Sequence, residues 1–112
     1  MGNKLIAKNS EGKIIEYCAI FKDKNYYCSG KNLTEIISIP NDLGRLHCRN
    51  NKLTSLPEVL SKDLEVLRCQ NNNIKQLPNL KKYKKLTYVC CDIICLEDYM
   101  FKMKNVDFEF FC

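Results

Sequence analysis

One segment of this chain recurs after 21 residues, position by position. Residues 43–57 read LGRLHCRNNKLTSLP, and residues 64–78 read LEVLRCQNNNIKQLP. The Leu, Cys, Asn and Pro positions coincide, and Leu53 is matched by Ile74. A unit of this length cannot bury its own apolar face, so neighbouring units must stack and share one core. The chain is therefore predicted to be a row of small, equivalent units.

Less regular copies flank the two central ones. The copy at residues 86–96 is displaced by 22 residues, a weaker copy lies around residues 26–36, and a fifth begins at Phe108. One set of cysteines follows the same period, at separations of 20, 21 and 22 residues: Cys28, Cys48, Cys69 and Cys91. The predicted units are about 23–42, 43–63, 64–85, 86–107 and a partial 108–112.

The pattern of apolar positions agrees with a short strand in each unit. Side chains alternate between the two faces of a strand, so Leu46 and Cys48 point towards the core and Arg45, His47 and Arg49 point away. Cys suits a narrow interior column because it is small and apolar. The Asn51 amide and its counterpart at Asn72 are expected to turn inward and bond backbone groups at the strand end, since buried polar groups need partners.

The pattern LxxLxCxxNxLxxLP resembles the leucine-rich repeat family, over roughly residues 23–112. The short period is similar to repeats of bacterial effectors and of proteins from large DNA viruses. The resemblance implies an α/β repeat fold: a short right-handed solenoid with a parallel concave sheet and a mostly irregular convex side. It also implies protein recognition on the concave face. Ile94 replaces the motif Asn in the third full copy and Lys31 does so in the first, so the outer copies are expected to be distorted or to act as caps.

The two ends of the chain differ from the repeats. Residues 4–8 and 13–17 are predicted strands around a turn at residues 9–12, which gives an N-terminal β-hairpin cap over residues 1–22. Residues 97–104 are predicted to form a short convex helix. Residues 108–112 are predicted to form a last, apolar strand with an unpaired edge, which is either covered or pairs with a second copy to form a homodimer.

Composition limits the classes of protein. The chain has 112 residues, 46% hydrophobic and 28% charged, which fits one small soluble domain and excludes a large enzyme. No stretch approaches the roughly 20 apolar residues of a membrane span, so no membrane partner is expected. Eight cysteines suggest disulfides only with a secretory route, and residues 1–6 show no signal core. We expect a cytoplasmic protein, in the host cytoplasm if the source is a virus.

The concave face carries the candidate binding residues. The chain has three Arg and one His, and all four are predicted on this face. Arg and aromatic side chains are enriched at interaction hot spots. The predicted binding residues are Arg45, His47, Arg49, Arg68, Tyr27, Tyr88 and Phe110. The expected partner is a protein or peptide with an acidic patch, and replacing Arg45 and Arg68 with Glu is expected to abolish its capture.

Other functions receive less support from the sequence. The outward face could be merely solvated, in a structural remnant with no partner, or the net charge of +5 and the lysines of residues 81–85 could attract nucleic acid or another polyanion. Catalysis is not expected, since His47 and Cys90 lie two strands apart. Cys90, Cys91 and Cys95 lack paired CxxC spacing, so neither metal nor cofactor is expected. Cys90 and Cys112 are predicted to be exposed neighbours that could oxidise in air.

Overall fold

Residues 4–112 are described by a computed structural model, and they form eight strands in two sheets. In chain order the strands are β1 (Lys4–Asn9), β2 (Ile14–Cys18), β3 (Asn25–Tyr27), β4 (Leu33–Ser38), β5 (Arg45–His47), β6 (Val66–Arg68), β7 (Tyr88–Asp92) and β8 (Asp107–Phe111). The same residues form three short 3-10 helices: Leu80–Lys82, Ile93–Cys95 and Asp98–Lys102. The result is a compact α/β-type domain, which confirms the predicted fold class at that level.

The larger sheet is parallel, as predicted, with the strand order β3-β5-β6-β7-β8. Its register follows the sequence copies, because Leu46 pairs with Tyr26 on one side and with Leu67 on the other. Leu67 in turn pairs with Val89. Parallel neighbours require the chain to return to the same end of the sheet between strands. The segments between the strands of this sheet make that return.

The interior is built from matching positions of successive copies. Cys28, Cys48, Cys69 and Cys91 are at most 2% exposed, and all eight cysteines are free thiols. Burial raises the pKa of Cys28 to about 12 and holds the pKa of Cys48 well above its usual value. These thiols therefore stay protonated and pack as small apolar groups.

Two Asn side chains join successive copies, as the sequence predicts. The Asn51 side-chain NH₂ donates to the carbonyls of Cys28 and Cys48, while its oxygen accepts from the backbone N–H of Leu33 and Lys31. Asn72 makes the corresponding bonds one copy later. Its side-chain NH₂ donates to the carbonyls of Cys48, Cys69 and Gln70, and its oxygen accepts from the backbone N–H of Leu53. Each amide therefore satisfies backbone groups of two adjacent copies.

The third full copy has no Asn at the position of Asn51 and Asn72. Ile94 stands in the Asn position and is 61% exposed. The Asp92 carboxylate instead accepts from the backbone N–H of Asn71, at 2.7 Å, and of Asn72, at 3.1 Å. This carboxylate joins the third copy to the second, but the N–H groups that it binds are not the counterparts of those that Asn51 and Asn72 bind. The expectation that the outer copies are distorted or act as caps stays a prediction.

The backbones of the first two copies come close together at Gly44. A Cβ on Gly44 would overlap the carbonyl oxygen of Asp23, so no larger residue fits there without a shift of the backbone. The Lys24 carbonyl accepts from the N–H groups of Gly44 and Arg45. This contact sets β5 beside β3.

The N-terminal hairpin of β1 and β2 is confirmed, with Ala7 paired to Ile15. The structure adds a strand that the sequence analysis did not assign: β4 pairs with the other edge of β1, which gives a three-stranded antiparallel sheet in the order β2-β1-β4. Leu5, Ala7, Leu33 and Ile36 of this sheet are buried in the common core. The first three residues of the predicted cap lie outside the described residues, and its boundary at residue 22 stays a prediction.

The predicted helix near the C-terminus forms as a tight 3-10 helix over Asp98–Lys102, with Met100 buried beneath it. Within residues 4–112, no helix combines the length and the apolar character needed to cross a membrane.

Candidate functional site

The site is the face of the parallel sheet that points away from the core, which we call the open face. Strand alternation brings one set of side chains to it: Asn25, Tyr27, Arg45, His47, Val66, Arg68, Tyr88, Cys90, Asp92, Asp107, Glu109 and Phe111. Ser29, Lys31, Arg49 and Gln70 extend it beyond the strand ends. All three arginines and the histidine are brought together here, as predicted.

His47 is held in one orientation by a chain of hydrogen bonds. Asn25 donates its side-chain NH₂ to Asp23 at 2.6 Å, so its oxygen faces His47. His47 Nε2 lies 2.8 Å from that oxygen and must carry the hydrogen that it donates. Tyr27 stacks on the imidazole with ring centroids 4.4 Å apart.

Burial and the charges around His47 favour the neutral ring. Burial lowers its pKa first, and the positive charges of Arg68, Arg45 and Arg49 lower it further, while Asp23 opposes them. The neutral ring then has its hydrogen on Nε2 and a free lone pair on Nδ1. His47 thus presents an oriented aromatic ring to the open face, with a hydrogen-bond acceptor at Nδ1.

Arg45 is neutralised by the chain itself. Its Nε lies 3.3 Å from the Asp23 carboxylate, and its terminal nitrogen lies 3.6 Å from Glu65. Both partners belong to flanking segments, one before β3 and one before β6. Arg45 therefore ties neighbouring strands together and has little charge left for a ligand.

Arg68 and Arg49 differ from Arg45 in this respect. Arg68 lies over the ring of Tyr88, with its guanidinium carbon 4.7 Å from the ring centroid. Tyr88 donates its hydroxyl hydrogen to Glu109, and this bond raises the pKa of Tyr88 to about 12. Among the ion pairs of residues 4–112, none involves Arg49 or Arg68. Their two positive charges are available to a partner.

A depression of about 460 Å³ lies between these groups. It is lined by Tyr27, Ser29, Lys31, His47, Arg49 and Arg68. Four predicted binding residues therefore share one depression, with Tyr88 adjacent through Arg68. Lys31 was missed as a site residue by the sequence analysis, although the alternation from Tyr27 through Ser29 leads to it.

Phe110 is a correction: the prediction that it lies on this face is wrong. Phe110 pairs with Cys91, whose side chain faces the core, and its ring stacks at 5.9 Å on that of Phe108. Asp107 lies only 19 residues after its partner Tyr88, not 22 as extrapolated from the preceding copy. A change of register by an odd number of residues exchanges the two faces of a strand.

The same register corrects two expectations about cysteine. Cys90 is 1% exposed, not an exposed thiol, and burial raises its pKa. Its neighbour on β8 is Glu109, whereas Cys112 lies beyond the end of that strand. The basis for an air-formed Cys90–Cys112 disulfide is therefore lost.

The open face is divided by charge. Cations occupy the side formed by β3, β5 and β6, and carboxylates occupy the side formed by β7 and β8: Asp92, Asp107 and Glu109. Asp92 is already bonded to backbone N–H groups, and Glu109 accepts from Tyr88. A ligand that lies across the strands meets positive charge first and negative charge last.

His47 and Cys90 are not neighbours on the open face. The strand pairing puts Arg68 between His47 and Cys90, which is two strand spacings or about 10 Å. Within residues 4–112, no group of three or more His, Cys, Asp or Glu side chains could hold a metal ion.

A second depression lies away from the open face. It has a volume of about 600 Å³ and is lined in part by Lys81, Lys84, Lys102 and Lys104. Lys81 lies over the ring of Tyr99, at 5.4 Å. The lysine run of residues 81–85 and the last 3-10 helix thus form one basic surface.

Comparison of the chain with family models, with curated proteins and with solved structures finds no match. The residues of the open face therefore carry the functional conclusion. The open face combines oriented aromatic rings, a shallow depression and two guanidinium groups that have no carboxylate partner among residues 4–112.

Proposed function

We propose that this chain is a non-catalytic interaction module of the leucine-rich repeat type, and that it binds a protein or peptide through the open face. In this proposal the strands of the parallel sheet form the concave side of a short right-handed solenoid. The in-register Leu positions, the buried cysteine column and the two inward Asn amides support the proposal, because each recurs at the same point of successive copies.

One observation carries the binding role. Within the described chain, Arg49 and Arg68 are the open-face arginines without a carboxylate partner, and both line a depression beside the exposed ring of Tyr27. Arginine makes planar, bidentate and stacked contacts that a solvated lysine does not make. Arginine and aromatic side chains are enriched at interaction hot spots, so their presence here favours a recognition face over a merely solvated one.

The partner is expected to be acidic where it meets β5 and β6. The carboxylates of Asp107 and Glu109 repel acidic groups further along the sheet, so the acidic stretch of the partner is expected to end near β7. The free thiols support a reducing compartment such as the cytoplasm, where disulfides do not persist.

The test is selection of peptides from a random display library on the wild-type protein and on the variant Arg49→Glu/Arg68→Glu. Arg45 is left intact because its removal would disturb Asp23 and Glu65 as well. Wild type is expected to enrich acidic peptides, and the variant is expected to lose at least about tenfold of their binding.

The matched control is Lys13→Glu/Lys22→Glu, which makes the same change in net charge at two exposed residues that line neither depression. The control is expected to bind like wild type. Peptides that bind the Arg variant and wild type equally would contradict the proposal and leave a solvated face as the better description.

The second depression supports one alternative, the binding of nucleic acid or another polyanion. Four lysines line it together with the ring of Tyr99. If this surface binds RNA, random single-stranded RNA will shift in a gel with wild type at low salt, and the shift will weaken steeply with salt. Lys84→Ala/Lys102→Ala would then reduce it, while Arg49→Glu/Arg68→Glu would not.

A further inference from the structure

The depression on the open face has a chemistry more specific than that of a general acidic contact. We infer that it binds a phosphate monoester, the phosphorylated side chain of a partner protein, between Arg49, Arg68 and Lys31. This inference rests on the proposed function, since it names the group that the open face recognises.

The charge in the depression fits a dianion. Arg49, Arg68 and Lys31 bring three formal positive charges to one volume of about 460 Å³. No Asp or Glu is among the described residues that line it. A carboxylate brings one negative charge, whereas a phosphate monoester brings about 1.5 to 2 near neutral pH. The monoester therefore leaves far less positive charge uncompensated.

The donors in the depression also exceed what a carboxylate can accept. Each guanidinium presents a fork of parallel N–H groups, Lys31 presents an ammonium, and Ser29 adds a hydroxyl. A carboxylate has two oxygens, and a phosphate monoester has three terminal ones. Bidentate arginine contacts to phosphate oxygens are strong and directional.

One of the two guanidinium groups, that of Arg68, is placed in advance of binding. Arg68 is held over the ring of Tyr88, and Tyr88 is held by Glu109. Tyr27 is stacked on His47, which is held by Asn25. Ordering of a flexible side chain opposes binding, so contacts that already restrict Arg68 and the aromatic wall favour affinity.

Neighbouring charges on the open face do not fill the depression. Asp23 and Glu65 lie against Arg45, and Glu109 lies against Tyr88. Asp92 accepts from the backbone of Asn71 and Asn72. Asp92 lines a separate depression with Arg49, and no Asp or Glu of the described residues lines the one shared by Arg49, Arg68 and Lys31.

His47 gives a readout inside the site. Asp23, Arg45, Arg49, Arg68 and Tyr27 face its ring from the neighbouring elements. Burial lowers the pKa of His47 most, the three arginines lower it further, and Asp23 raises it. A bound dianion beside those arginines also raises it. The pKa of His47 is therefore expected to rise when the depression is filled, whereas an anion bound elsewhere would leave it unchanged.

The experiment is titration of the isotope-labelled protein, followed by nuclear magnetic resonance of the arginine side chains and the His47 ring. The probes are phenyl phosphate, O-phosphoserine, inorganic phosphate, dimethyl phosphate and phenylacetate. We expect both monoesters to shift the Arg49 and Arg68 signals and to bind at least tenfold more tightly than phenylacetate. They are also expected to raise the pKa of His47.

Variants separate the site from general attraction to a basic protein. Arg49→Ala/Arg68→Ala is expected to lose monoester binding, and Lys13→Ala/Lys22→Ala, with the same change in net charge, is expected to keep it. Arg49→Lys/Arg68→Lys retains the charge without the fork and is expected to bind more weakly than wild type. Spectra of every variant must retain the wild-type dispersion of core signals.

The remaining outcomes overturn the inference. Equal binding of phenylacetate would indicate a carboxylate site, and equal binding of dimethyl phosphate would indicate a nucleic-acid backbone. Inorganic phosphate binding as tightly as the monoesters would indicate a free-anion site. Arg-dependent capture of unphosphorylated peptides, without monoester binding, would refute this inference and keep the proposed function. Peptide capture that does not depend on the arginines would refute the proposed function itself.

Discussion

At the scale of single residues, a few polar side chains hydrogen-bond backbone groups that a regular strand or helix would otherwise satisfy. Asn51 and Asn72 satisfy backbone groups where short strands end, and the left-handed backbone of Asn50 and Asn71 turns the chain just before them. Asn tolerates that conformation better than most residues. In each central copy two Asn residues therefore have separate roles. The first adopts the left-handed conformation of the turn, and the second hydrogen-bonds the backbone groups at the strand end.

The first prediction concerns Asn51. Asn51→Ala removes the partners of the buried N–H of Leu33 and of the carbonyls of Cys28 and Cys48, so the free energy of unfolding is expected to fall by roughly 2–4 kcal/mol. Urea unfolding followed by circular dichroism measures the loss. Asn73→Ala, at an exposed neighbouring Asn, is expected to change it by less than about 0.5 kcal/mol. Equal effects of the two substitutions would contradict this account of the inward amide.

The second prediction concerns His47, the only histidine of the chain. Its pKa in the folded state lies below the unfolded value of about 6.5, so the unfolded chain binds the proton more readily. The stability that this ring contributes is present above the unfolded pKa and is lost as the pH falls through the folded pKa. Unfolding free energy is expected to decline from pH 7.5 to 5.5, in a cationic buffer free of phosphate.

His47→Gln supplies the comparison, because it keeps a polar side chain and removes the titration. Its stability is expected to depend less steeply on pH over the same range. A slope identical to that of wild type would show that His47 does not carry the effect.

At the scale of elements, the parallel strands are short, and the two edge strands of their sheet, β3 and β8, have different surroundings. The first strand of the parallel sheet, β3, contacts β2 of the antiparallel sheet. In that second sheet β4 adds to the N-terminal hairpin. The last strand, β8, pairs with β7 on one side only, among the strands of residues 4–112. Its register decides which of its aromatic side chains belong to the core.

The third prediction tests that register. Phe110 is half-buried against the core, so Phe110→Ala is expected to lower the free energy of unfolding by about 1–2 kcal/mol. Phe111 is 45% exposed on the open face, so Phe111→Ala is expected to lower it by less than about 0.5 kcal/mol. Chemical denaturation of the two variants measures the difference. The reverse order of stabilities would support the register extrapolated from the sequence.

At the scale of the whole molecule, one continuous core joins the two sheets. Leu5 and Ala7 of the hairpin belong to the same cluster as Leu67 of the parallel sheet and Met100 near the C-terminus. A shared core makes the sheets unfold together, as small single domains usually do. The surface that remains carries cations and aromatic rings on one face and a free strand edge at one end.

The fourth prediction concerns that edge. The N–H and C=O groups of β8 that point away from β7 form a template for another strand, so homodimers through β8 are expected as concentration rises. Pairing would bring together the carboxylates of Asp107 and Glu109 from two copies, so salt is expected to favour the dimer. Size-exclusion chromatography with light scattering measures the mass. A strict monomer at high concentration and high salt would reject the dimer.

The sequence alone predicted those features that depend on the repeat period and on local chemistry. Matching Leu and Cys positions predicted the stacked core column, and the resemblance to leucine-rich repeats implied the parallel sheet. Asn51 and Asn72 predicted their own bonding, and alternation from Arg45 placed the arginines on one face. These follow because stacked copies must present the same residue to the same neighbour.

Only the tertiary structure decided what depends on contacts between distant residues. It paired Arg45 with Asp23 and Glu65 and left Arg49 free of a carboxylate among the described residues. It also added β4 to the hairpin and turned Phe110 inward. The period fixes which residues are equivalent, but charge neutralisation and the register of an irregular last copy depend on the length and packing of the connecting segments. Those are settled only when the whole chain has folded.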